Sequence, residues 1–75
     1  MIEIYLLEQL DAFARHGTLS AAAQALHTSQ PSMTRAMQKL EDELGVALFI
    51  RSKNHLALNE TGRRAAQYAR HVLTA

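Results

Sequence analysis

Apolar residues recur along this chain at helical spacing in four segments and form two short runs between the third and the fourth. From about Ile4 to His16, Leu6, Leu10 and Phe13 share one face with Leu7 and Ala14 beside it, while Glu8, Asp11 and Arg15 lie on the other side. Asp11 and Arg15 are spaced for an i, i+4 ion pair. Gly17 suits the left-handed position that ends a helix, and Thr18 suits the N-cap of the next. There Leu19, Ala22, Ala23 and Leu26 fall at i, i+3, i+4 and i+7, a single apolar stripe. After the turn His27-Thr28-Ser29, the residues Met33, Ala36, Met37, Leu40 and Leu44 make a third stripe in a helix expected over about 30–44. Ser29 or Thr28 caps its start, Pro31 is tolerated in its first turn for want of an N–H, and Gly45 ends it.

The period then changes. Leu48-Phe49-Ile50 and Leu56-Ala57-Leu58 flank Arg51-Ser52-Lys53-Asn54-His55, which predicts two short strands joined by a basic polar loop. A two-stranded ribbon hardly stands alone in water, so it must lean on the helices as a wing. Asn59 suits the N-cap of a last helix, with Glu60 at its positive end. In that helix Gly62, Ala65, Ala66, Ala69, Val72 and Leu73 form a continuous apolar face, with Arg63, Gln67, Arg70 and Thr74 opposite. Such a face suits either this domain's own core or a partner helix. It is long for the core and stops at Ala75 without a cap, so the expectation is a truncated helix with more chain or a second copy beyond.

Small alanines let the third helix cross the second closely at a steep angle, as a helix-turn-helix requires. The front half of the third helix then turns outward Pro31, Thr34, Arg35 and Gln38, flanked by Ser32 and Lys39. Hydroxyls, an amide and a guanidinium without a carboxylate suit phosphate oxygens and base edges. The pattern therefore points to a DNA-binding helix-turn-helix.

Composition narrows this picture. At 75 residues the chain is one small domain, and 48% apolar content with two Tyr, two Phe and no Trp implies an aliphatic, alanine-rich core. The absence of Cys excludes disulfides, thiolate zinc sites and thiol catalysis. No apolar run approaches the roughly 20 residues of a membrane span, and no secretory signal precedes the first helix, so a cytoplasmic protein is expected. A net charge of +1 is uninformative, but every full charge from Ala12 to Leu40 and from Leu44 to Asn59 is positive: Arg15, Arg35, Lys39, Arg51 and Lys53. His16, His27, His55 and His71 lack metal-ligand spacing, and Ser20, Ser29, Ser32 and Ser52 have no motif setting a base beside them. No metal, no cofactor and no catalysis are expected.

These residues resemble the DNA-binding domain of the LysR-type transcriptional regulators over nearly the whole chain. Carrying the resemblance are Phe13, Ala22-Ala23, Leu26-His27, Ser29-Gln30-Pro31-Ser32, Thr34-Arg35, Leu40-Glu41, Glu43-Leu44-Gly45, Leu48-Phe49, Arg51, Leu58 and Thr61-Gly62. The Ser-Gln-Pro opening, the Leu-Glu-x-Glu-Leu-Gly ending and the Leu-Phe-x-Arg strand are specific together at these spacings. Thr28 departs from the family's usual aliphatic residue, and Asn59 from its usual Thr.

The resemblance implies a mainly α fold, a winged helix-turn-helix with a three-helix core and a two-stranded wing over residues 1–58. Residues 59–75 would begin a linker helix that pairs with its copy. It further implies an absent C-terminal effector-binding domain, the only place a small-molecule inducer would bind. The groove-facing set would be Gln30, Pro31, Ser32, Thr34, Arg35 and Gln38. By their chemistry, Thr18, Ser20 and Ser29 suit phosphate oxygens, and Arg51, Lys53 and His55 of the wing suit the backbone or minor groove. Thr18 and Ser29 are equally explained as helix caps, and Lys39 as a solvated residue or a partner of Glu43. The partners expected are double-stranded DNA and a homodimer through Ala65, Ala66, Ala69, Val72 and Leu73, with a homotetramer open to the full-length protein and no membrane. The competing reading is a winged-helix module for protein association alone.

Overall fold

Three side-chain caps frame the chain. The structure, a computed structural model, describes residues 2–75. Its elements are α1 (Ile4–His16), α2 (Leu19–Ala25), α3 (Gln30–Leu44), β1 (Phe49–Ser52), β2 (His55–Leu58) and α4 (Glu60–Thr74). The side chains of Thr18, Ser29 and Asn59 accept the N–H groups of Ala21, Ser32 and Gly62 at 3.1, 3.1 and 2.7 Å. Each bond satisfies an orphan donor of a helix start and is worth about 1 kcal/mol. At the other ends, α1 and α3 stop on Gly17 (φ 85°) and Gly45 (φ 71°). α2 stops differently. His27 takes φ 56°, donating its N–H to the Gln24 carbonyl at 3.2 Å while Thr28 donates to Ala23 at 2.9 Å. This doubly bonded turn ordinarily uses glycine.

α1 lies centrally, packed on α2, α3 and α4. Leu6, Leu10, Met33, Met37, Leu40 and Leu48 are fully buried, and Ala12, Ala22 and Ala69 are wholly buried beside them. The wing joins this core through Phe49, whose ring meets Phe13 edge to face at 5.4 Å between centroids. β1 and β2 are antiparallel, with Phe49 opposite Leu58 and Ser52 opposite His55. The strands thus take in Arg51, Ser52 and His55, which the sequence pattern left in the loop. Backbone pairing continues there although the side chains are polar and exposed, and the turn shrinks to Lys53-Asn54 with Asn54 at φ 61°.

Three expectations change. Asp11, placed on the solvated side of α1, is 4% exposed and accepts both Arg15 Nε at 3.0 Å and Arg70 Nη1 at 3.3 Å. Two guanidiniums make the buried carboxylate tolerable and join α1 to α4. Leu44, assigned to the buried stripe of α3, is 42% exposed because it lies at the helix end, just before Gly45. Ala66 and Ala69, assigned to a partner-facing strip of α4, are buried in the chain's own core, and the small Gly62 on the same strip explains why. A Cβ at Gly62 would overlap the Leu48 carbonyl, so this edge of α4 presses directly on the backbone ahead of the wing.

Candidate nucleic-acid interface

Where the apolar stripe of α3 faces inward, its opposite side is open. Pro31, Thr34, Arg35 and Gln38 are all exposed, as is Gln30, while Ser32 is half-buried. Ser32 is held in place: Ser29 Oγ donates to its Oγ at 3.0 Å and Arg35 Nη2 donates to the same atom at 3.3 Å. The local chain thereby presents Arg35 from the first turns of the helix, with Pro31 fixing the backbone ahead of it.

One flank of α3 borders a cleft of about 430 Å³ that also reaches the start of α2 and the wing. Its lining brings together six residues singled out from the sequence: Thr18, Ser20, Gln30, Thr34, Arg51 and His55. Ser52 and Asn54 complete its wing side. These two escaped the sequence reading; an Asn at position 54 was the available signal for where the turn falls, since Asn tolerates the left-handed backbone it takes there. Ser29, Pro31, Ser32, Arg35 and Gln38 lie outside this cleft, toward the outer side and the far flank of α3, and Lys53 lies at the wing tip.

Charge is less segregated in space than along the chain. Arg51 Nη2 meets Glu41 Oε1 at 3.1 Å, and the second oxygen of Glu41 accepts the Leu48 N–H at 2.7 Å. Burial pushes the Glu41 carboxyl up, but the Leu48 N–H and the Arg51 guanidinium outweigh it and hold the pKa below its ordinary 4.5. Glu41 therefore ties the back of α3 to the first strand of the wing, a role that only its three-dimensional neighbours reveal. Lys39, read from the sequence as a solvated residue or a partner of Glu43, instead reaches Glu3 at 2.7 Å, and that hydrogen bond and charge raise its pKa above 10.5. Among the described residues, Arg35 and Lys53 form no ion pair, which leaves them as cations uncommitted to a carboxylate.

A second exposed surface lies on α4. Ala65, Tyr68 and Val72, at i, i+3 and i+7, line a groove of about 410 Å³ with Ile2, Ile4 and Leu44. Tyr68 is 63% exposed and Ile4 53%. Of the strip expected to face a partner, Ala65, Val72 and Leu73 are half-buried, and Ala66 and Ala69 are interior. Tyr68, Ile4 and Leu44 were not foreseen; the i+3 spacing of Tyr68 from Ala65 was the available signal.

Comparison with known proteins agrees with this geometry. The family model described as "Bacterial regulatory helix-turn-helix protein, lysR family" matches residues 4–63. The HTH-type transcriptional regulator TcbR of Pseudomonas sp. (strain P51) is 42% identical over 72 residues, 96% of this chain and 24% of that protein. The RuBisCO operon transcriptional regulator of Allochromatium vinosum is 39% identical over 66 residues, 88% of this chain and 22% of that protein. This chain thus spans about a quarter of the length of these relatives. Among solved structures, the DNA-binding domain of CbnR in complex with DNA superposes with a TM-score of 0.90 at 41% identity, covering 97% of this chain and 84% of that one. The BenM DNA-binding domain on its catB site 1 DNA also gives 0.90, at 30% identity, covering 97% and 78%. Sequence, architecture and the spacing of the helix-turn-helix residues agree: the chain belongs to the lysR family of bacterial regulatory helix-turn-helix proteins.

Proposed function

We propose that this chain binds duplex DNA sequence-specifically as the DNA-reading part of a transcription regulator, with α3 in the major groove and the wing on the backbone or minor groove. The observation that carries it is the outer side of α3: Pro31, Thr34, Arg35 and Gln38 are exposed together, with no carboxylate before Glu41. Arg35 suits a bidentate pair with guanine, Gln30 or Gln38 suits adenine, and Pro31 or the Thr34 methyl suits a thymine methyl. Thr18, Ser20 and Ser29 suit phosphate oxygens, and Ser32 sets the position of Arg35. Lys53 and His55 extend toward the backbone from the wing, whereas Arg51 is shared with Glu41. The DNA complexes of the CbnR and BenM domains, so similar in fold, support the same mode of binding here.

Two copies would join through the strip of α4 made by the exposed Tyr68 and the half-buried Ala65, Val72 and Leu73, with Ile4 and Leu44 at its edge. Residues 1–58 would then read DNA and 59–75 begin the linker. By analogy with relatives of fourfold length, a separate domain would bind the inducer. Selection from a random DNA pool at fixed salt tests the central claim. Arg35→Ala is expected to cost about 1–3 kcal/mol of binding and relax preference at one base position. Lys53→Ala should instead weaken every sequence alike and flatten the salt slope by about one unit. Recovery of no shared sequence, together with indifference to heparin, would favour protein association through the α4 groove alone.

A further inference from the structure

We propose that the cleft between α1 and the far flank of α3 is a second DNA-backbone site, which takes a phosphodiester from the strand opposite the one that meets the α2 start and the wing. It rests on the DNA-binding reading above. The cleft, of about 230 Å³, is lined by Tyr5, Gln9, Ser32, Arg35, Ala36 and Lys39. Two cations, a phenol, an amide and a hydroxyl meet there, and no carboxylate belongs to the lining.

Its place on the helix gives it a purpose. At about 100° per residue, Ser32 and Lys39 lie on the order of 170° around α3 from Gln30 and Thr34. A major groove about 12 Å wide just admits a helix, so a seated helix presents one flank to each phosphate wall. The Gln30 and Thr34 flank has the wing-side cleft for one wall. The Ser32 and Lys39 flank has this cleft for the other.

The groups are available. Gln9 can donate to a phosphate only through its amide nitrogen, since its buried, unpaired Oε1 is an acceptor. Lys39 Nζ sits 5.9 Å from the centre of the Tyr5 ring and 2.7 Å from Glu3 Oε1. Both members of that ion pair are about half exposed, at 49% and 51%, and such surface pairs are weak. A phosphodiester on Lys39 displaces the Glu3 carboxylate, while Arg35 at the cleft's edge remains free for a base. Glu3 is then a competitor of DNA for Lys39, and its charge restrains affinity for any sequence.

The test measures affinity against salt concentration, for the selected duplex and a scrambled one. Lys39→Gln should weaken both several-fold and reduce the slope of log K on log salt by about 0.9, the value for one phosphate contact. Lys39→Arg should retain the slope. Glu3→Gln should strengthen binding to both duplexes several-fold, and do so only while Lys39 is present. A purely structural ion pair predicts otherwise: losing either partner would act alike and leave the slope alone. An unchanged slope in Lys39→Gln, or weaker binding in Glu3→Gln, overturns the site while wild-type binding still upholds the DNA reading. Salt-indifferent wild-type binding overturns both.

Discussion

α3 and α4 are twins in construction and opposites in surface. Each has fifteen residues, and each begins on a side-chain cap that accepts the N–H three residues on. α3 buries Met33, Ala36, Met37 and Leu40 and turns a polar side outward. α4 buries only small residues, Gly62, Ala66 and Ala69, and leaves Tyr68 exposed beside the half-buried Ala65, Val72 and Leu73. Large side chains fill the buried side of α3, and its polar side stays accessible. Small ones let α4 press close, which leaves its larger side chains on a second face. A helix turned outward with polar groups suits a charged, hydrogen-bonding partner; one turned outward with apolar groups suits another protein surface.

The sharpest way to break this contrast is to place a charge on each of α4's two strips. Ala69→Glu buries a carboxylate at a wholly buried position and should cost at least about 3–5 kcal/mol, enough to unfold a domain of this size in a thermal melt. Tyr68→Glu, one residue away, should leave the melt within about 0.5 kcal/mol and instead abolish self-association in sedimentation equilibrium. Equal melts for the two variants would mean that the strips are not distinct. Gly62→Ala ranks next. The added methyl overlaps the Leu48 carbonyl and should cost roughly 1–3 kcal/mol, read as a lower midpoint in denaturant.

The smallest effect concerns the acid anchor of α3. Glu41→Gln loses two charge-assisted bonds and should cost about 1–2 kcal/mol at neutral pH. Because folding lowers the Glu41 pKa, its contribution is complete above pH 4.5 and fades as the pH falls toward the lower folded value. The difference in melting temperature between wild type and Glu41→Gln should therefore be constant above pH 4.5 and shrink below it. A gap that widens on acidification would contradict the lowered pKa.

The helices were legible in the sequence because their signals are local: Gly17, Thr18, Ser29, Pro31, Gly45 and Asn59 mark ends through groups at most a few residues away. The exposed reading side of α3 was legible for the same reason, since period and cap fix which residues share a face. What escaped was set by contacts between distant segments. Asp11 looks like half of a surface i, i+4 pair until Arg70 arrives from α4. Glu41 looks like one acid of three in a row until Leu48 and Arg51 fold against it. The alanine strip of α4 was ambiguous because small apolar residues serve core and interface equally well, and only the closeness of Leu48 to Gly62 decides between them. The wing's extent was missed because strand pairing at Ser52 and His55 is a property of the backbone.

The Asn59 side chain does two things at once: its Oδ1 accepts the Gly62 N–H at 2.7 Å, and its Nδ2 donates to the Ala47 carbonyl at 3.0 Å. The elbow at which α4 departs is thus tied by one side chain to the segment entering the wing. Two such units coupled by α4 would form a caliper of fixed jaw opening. Inserting a few base pairs between their targets would then be met by torsion or curvature of the double helix to the extent that this tie holds.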